Sequence, residues 1–363
     1  MRKYRVRVLV LWLAAGTATW TGAGCRAEDA KCPPGTVNRA STERPIVGAI
    51  RWDAWQPGPI SNRYIGFLGP SQWRYRLPFY GGEVDRNTVA LAANTPAVMD
   101  SEIAYADAAG LDFFCFNHYL IELRQSLDLY LASARKGDIN FCLQMGSLNP
   151  ERVADAVHLI RTESTYQKVA GGRPLVFFQP WHFAEETPPP SKADVDRFRA
   201  QLVEAGMQNP YIVVQNPSPR AAADEAETYG ADAIGSYIMG TDRGPAGESQ
   251  PFSSLVRNAE QDWADYARTG KKVIPTVMTG WDLRPDPIQT DEPYWAEATP
   301  QEIATHLRNA MTWSAANPCA AEANTIQIFA WNEISEGGWL LPSNTAFNPV
   351  GAGRLDAIAD VLR

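Results

Sequence analysis

The strongest constraint on this chain is an alternation that repeats eight times, a short apolar run followed by a longer stretch of helical spacing. Such runs imply parallel pairing, because a crossover as long as a helix joins parallel neighbours. The first run is Ile46 to Trp52 (IVGAIRW), and the second, Leu111 to Phe116 (LDFFCF), follows a helix predicted over 97–110. Runs at 139–143, 174–178, 211–214, 231–238, 272–278 and from Thr325 onward complete the set. Helices predicted over 123–135, 150–165, 193–205, 221–229, 253–268 and 300–316 separate them, and a last helix is predicted at 354–362. Eight units in one chain of 363 residues predict an α/β fold, a single (β/α)8 TIM barrel over 45–363. No glycine-rich nucleotide fingerprint follows the first strand, which disfavours an open doubly wound sheet. Between that strand and its helix lies a long aromatic segment through Trp73, Tyr75, Phe79 and Tyr80, read as irregular and, by its length, functional.

The first residues read differently. Arg2, Lys3, Arg5 and Arg7 precede an apolar run, Val8 to Ala15, that is too short to span a bilayer, and Gly22-Ala23-Gly24 leads to Cys25. This predicts a signal peptide over 1–24, possibly of the lipoprotein type with Cys25 lipidated, and a tether over 25–44. Plain secretion is the alternative. Either way the protein is expected outside the cytoplasm, periplasmic, on the cell surface or secreted. The formal charge is −8, and 29 basic against 41 acidic residues remain once the first 24 are set aside, a balance that argues against a nucleic-acid partner. Cys115 and Cys142 sit inside apolar runs, where buried free thiols are expected. No CxxC pair and no HxH cluster occurs, so neither a metal nor a cofactor is expected.

In a barrel of this kind chemistry sits at the carboxyl ends of the strands. Those ends carry Trp52 and Asp53, Asn117 and His118, Gln144, then Gln179, Trp181 and His182. Asn216, Tyr237, Trp281 and Asp282, and finally Asn332, Glu333 and Glu336 follow. Amides, carboxylates and aromatic faces suit a sugar, whose hydroxyls need donors and acceptors and whose C–H face packs on a ring. Glycoside hydrolysis normally needs two carboxyl groups, one of them protonated at working pH. Glu333 and Glu336 lead, with Asp53 and Asp282 as rivals. Residues three apart on a straight strand face opposite ways, so the pair requires a turn, which Ile334-Ser335 and Gly337-Gly338 can supply. Each residue also has a plainer reading, as core packing, cap or salt-bridge partner.

WNEISEGGWLLP, from Trp331, resembles the WNEWxEGxxLEP signature of the glycoside hydrolase family 99-like, or WbsX-like, proteins. TGWDLRP at Thr279 to Pro285 is similar to that family's GWDNxPR segment, and ADAAGLDFFCFNHY at Ala106 to Tyr119 to its AKxYGIDGFCFYHYW segment. Ile334, Leu341 and Leu283 depart from the pattern. The resemblance implies a (β/α)8 barrel acting on glycans, with retaining endo-α-mannosidase chemistry. Carried over, it assigns Glu333 to assisting the sugar's own 2-hydroxyl in forming an anhydro intermediate, and Glu336 to general acid/base work. The expected substrate is an oligosaccharide or polysaccharide. The alternatives are a non-catalytic glycan-binding barrel and a WbsX-type glycosyltransferase.

Overall fold

The structure is a computed structural model that describes residues 44–363 apart from 57, 119–122, 170 and 181–189. The segment read as signal peptide, Cys25, nearly all of the tether, Trp181 and His182 therefore lie outside the described residues. Among the described residues no helix is long and apolar enough to cross a membrane.

Eight strands form the barrel: β1 Ile46–Arg51, β2 Phe113–Asn117, β3 Asn140–Met145, β4 Arg173–Phe178, β5 Tyr211–Gln215, β6 Ala233–Gly235, β7 in two pieces, Lys272–Val273 and Thr276–Met278, and β8 Thr325–Phe329. Each pairs in parallel with its sequence neighbour, and β8 returns to β1, with Ile46 opposite Thr325 and Ala49 opposite Ile328. The first piece of β7 pairs with β6 and the second with β8. Between the pieces, Ile274 N donates to Ile234 O (3.0 Å) and Pro275 O accepts from Gln327 N (3.0 Å). Pro275 has no N–H to give, so the strand breaks there while the cylinder still closes.

The strands are buried on both faces, as parallel strands wrapped in helices must be. Helices α2 Pro96–Ala108, α3 Arg124–Ala132, α4 Pro150–Thr162, α5 Lys192–Glu204, α6 Pro219–Tyr229, α7 Phe252–Arg268, α8 Pro300–Ala316 and α9 Gly353–Leu362 follow the strands in turn; a ninth, α1 Pro59–Phe67, precedes α2. Thr95, Asn149, Ser218 and Thr299 each stand before a proline and cap the next helix with a side-chain oxygen. Ser191 and Thr299 build reciprocal capping boxes with Asp194 and Glu302.

One expectation is corrected. The segment between β1 and α2 is not irregular: it holds α1, a 3-10 helix at Ser71–Arg76, and a hairpin pairing Gly81–Glu83 with Val89–Leu91. Its aromatic and aliphatic side chains form a second apolar cluster with Trp52, Trp55, Ile334 and Trp339, lying over the tips of β1 and β8. Short elements stabilised by that cluster leave no periodic signature in sequence.

Candidate active site

Glu333 and Glu336 lie on a tight reversal just beyond β8. Asn332–Glu333 pairs antiparallel with Gly338–Trp339, and Ile334–Glu336 makes one 3-10 turn between them. Gly337, at φ 82°, supplies the left-handed residue that the reversal needs. A side chain at Gly338 would meet the Phe329 ring at 2.3 Å, and one at Gly280 would meet Gly337 O at 1.9 Å. Backbone thus packs on backbone, and Asp282 N donates to Glu336 O (2.7 Å). The loop after β7 thereby fixes the second glutamate.

Glu333 is 3% exposed. Tyr237, from beyond β6, donates its hydroxyl to Glu333 Oε1 (2.5 Å) and accepts from Asn117 Nδ2 (3.2 Å) at the end of β2. Burial pushes the Glu333 carboxyl well above its ordinary range, and the neighbouring Glu336 pushes the same way while the Tyr237 hydroxyl opposes. Glu336 is partly exposed. Burial, and then the charge of Asp286, raise it to about 7. Two carboxyls of raised pKa at a barrel's carboxyl face are the arrangement that acid–base chemistry requires. Trp281 and Tyr237 pack on Phe329 at ring-centroid distances of 5.7 and 5.5 Å, and give the site an aromatic floor. Trp52 meets the edge of Tyr64 at 5.7 Å. Gln179 lies buried just past β4, its backbone N–H on Met145 O.

Four residues named from sequence as substrate ligands have their polar groups engaged elsewhere. His118 follows Asn117 and so faces the other side of β2. Its Nε2 lies 3.1 Å from Asp155 on α4, and it belongs to the strand–helix layer. Asp53 accepts from Arg51 Nη2 (2.8 Å) and from Asn332 Nδ2 (3.0 Å). Asp282 accepts from Arg284 Nε (2.8 Å) and Nη2 (2.9 Å) and pairs with Arg76. Burial pushes Asp282 up, but Arg284 and Arg76 outweigh it and hold the carboxyl below its usual range. Asn332 is likewise a clamp: Oδ1 accepts Trp52 N (2.7 Å) and its carbonyl accepts Trp55 Nε1 (2.9 Å), tying the β1 tip to the β8 tip. Arg51 also pairs with Glu102 of α2, to which Trp331 Nε1 donates at 3.3 Å. Arg51, Arg76, Glu102, Tyr64 and Asp286 were not singled out from sequence. Cys115 and Cys142 are buried free thiols, as expected.

With this geometry in place the relatives can be compared. The sequence profile of the family described as Glycosyltransferase WbsX matches residues 150–349, more than half of the chain. The chain belongs to the WbsX family. No curated protein matches it in sequence. A solved structure described as a glycoside hydrolase-like protein superposes with a TM-score of 0.59 at 13% identity, covering 90% of this chain and 96% of that one. The GH99 endo-α-mannosidase from Bacteroides thetaiotaomicron, in complex with BIS-TRIS-propane, superposes with a TM-score of 0.56 at 16% identity over 87% of this chain and 96% of that one. A second structure of that enzyme gives 0.50 at 14% identity. At such identities the likeness is one of fold. The WbsX-family chain has a glycoside hydrolase-like barrel.

Proposed function

We propose that this WbsX-family chain is an exported glycoside hydrolase that cleaves a glycan with retention of configuration, through Glu333 and Glu336. The observation that carries the reading is the pair itself. Two carboxyls sit close at the carboxyl face of the barrel, both with raised pKa, one held by a tyrosine hydroxyl and the other raised to about 7. To act, Glu333 must be ionised, a form that the Tyr237 hydroxyl favours against burial and the charge of Glu336; once ionised, it takes the proton of the sugar's 2-hydroxyl as that oxygen attacks the anomeric carbon. Glu336 gives its proton to the departing glycosidic oxygen. Water then opens the anhydro ring, losing a proton to Glu336 while Glu333 returns its own to the 2-oxygen. Two inversions give net retention. Endo-α-mannosidase action, the activity named for the Bacteroides structures, is the first linkage to test. Export rests on the basic and apolar residues of the first 24 positions.

The test is a glycan panel offered to the mature protein, with proton NMR to identify the first anomer released. Turnover with retention, lost in Glu336→Gln while binding persists, supports the reading. Binding without turnover by the wild type would replace it with a glycan-binding barrel. The family's description favours one further reading, sugar transfer from a nucleotide donor. Chain extension that depends on an added nucleotide sugar, without hydrolysis, would establish it.

A further inference from the structure

We propose that Arg63 and Asp286 are positioning residues for the reacting pair: their ion pair fastens α1 across the mouth of the barrel so that Tyr64 stands against Glu333 and Glu336. The inference rests on the function proposed above. Helix α1 has only nine residues and no side-chain cap. A helix that short is marginal alone, so its place must come from tertiary ties. One tie is apolar: Ile60, Tyr64 and Ile65 pack on the second cluster, and the Tyr64 ring meets Trp52 and Phe67 edge-on (5.7 and 5.6 Å). The other is Arg63 Nη2 to Asp286 Oδ2 at 3.2 Å, the one ion pair of α1 among the described residues.

Asp286 is a well-built anchor. It is buried, its N–H donates to Leu283 O (2.9 Å), Oδ1 accepts from Ile288 N (3.2 Å), and Oδ2 also accepts from Gln289 Nε2 (3.2 Å). Its loop is the one already bonded to Glu336 through Asp282 N. The pair therefore links the excursion after β1 to the loop after β7, across the glutamates beyond β8. Arg63 also lies over the Phe67 ring at 5.5 Å, one helical turn on, which sets its direction. Burial, with the charges of Glu336 and Glu333, pushes the Tyr64 phenol to about 12, so it remains a hydrogen-bond donor at working pH. The titratable groups that act on Glu336 are Glu333 on its own hairpin, Tyr64 on α1 and Asp286 from the β7 loop, while Arg76 from the 3-10 helix donates to the carbonyls of Ile334 and Ser335 and Asp282 donates its N–H to the Glu336 carbonyl.

The test compares Arg63→Met, Arg63→Lys and Asp286→Asn with wild type, first by hydrogen exchange of the 59–67 peptide and then by kinetics. Exchange of that peptide should quicken in Arg63→Met and Asp286→Asn and return towards wild type in Arg63→Lys, with barrel peptides unchanged. On a substrate found by the panel, kcat should fall about ten- to a hundredfold in the first two with KM changing less, the cost expected for a reacting group displaced by about 1 Å. Asp286→Asn should also move the basic limb of the kcat profile to lower pH, because a negative charge has left the neighbourhood of Glu336. Unchanged exchange at 59–67, or a kcat and basic limb like those of wild type, would overturn the proposal. Exchange needs no substrate, so a wild type without turnover would defeat the functional reading and leave the latch to be decided by exchange.

Discussion

Replacing Arg51 by methionine tests the framework beneath the site without needing a substrate. The guanidinium is 2% exposed between Asp53 and Glu102, whose side chains are 4% and 2% exposed. It also lies over the rings of Phe114 (4.8 Å) and Phe116 (5.2 Å), contacts that a methionine stem partly keeps. The main loss is therefore the charge, leaving two buried carboxylates without their cation, which costs about 3–5 kcal/mol. For a domain of this size that is a Tm lowered by roughly 4–7 °C at pH 7. The pH dependence has a definite sign. Burial already raises Glu102, with Arg51 opposing and Asp53 adding. Without Arg51 the Glu102 carboxyl rises further. A carboxyl raised in the folded state contributes its stability below its unfolded pKa, near 4, and loses it as pH climbs through the folded value. The deficit of Arg51→Met should thus be small near pH 4 and full by pH 8. Thermal unfolding followed by circular dichroism from pH 4 to 8 measures it. A Tm within 2 °C of wild type at pH 7, or a deficit that grows on acidification, would refute the reasoning.

Tyr237→Phe removes the hydroxyl that favours Glu333 as carboxylate; a hydrogen bond to a charged group contributes about 1.5–3 kcal/mol, so kcat/KM should fall at least tenfold and its acidic limb move up in pH. A change under twofold with the limb in place would count against the role given to Glu333. Glu336 at about 7 must be protonated to act as acid, so activity should decline as pH rises through about 7 and be flat there in Glu336→Gln. Gly338→Ala should lower stability by about 1–3 kcal/mol, as overpacking does, because its Cβ would meet the Phe329 ring at 2.3 Å; denaturant unfolding checks it.

The barrel was legible because short continuous apolar runs and stretches of helical spacing alternate from Ile46 to Leu362, broken only by the long excursion after β1. Where the reading slipped, tertiary partners decided. Pro275 splits β7, and two of the seven residues predicted for it act only through loop-like bonds to both neighbours. At the strand tips, adjacent residues such as Asn117 and His118 were both assigned to the pocket. Strand alternation allows one of each pair, and applying it strictly would have turned His118 towards the helices. Asp53 and Asp282 were credible ligands until their arginines came into view; Arg76 lies 206 positions from Asp282, and no local pattern joins them. Tyr64 and Asp286 were missed for the same reason, since each matters through neighbours distant in sequence. The pair at Glu333 and Glu336 was visible because its turn, its two glycines and its acidic spacing are all local.

The glycine seam between Gly280 and Gly337-Gly338 bears on how such a barrel can diversify. Loops on a rigid scaffold commonly lengthen or change composition while the elements beneath them are kept. Here two segments more than fifty positions apart touch main chain to main chain, with no side chain between them to absorb a change. New substrate preferences would then have to be written into the other loops, above all the long excursion after β1, while this corner stays as it is.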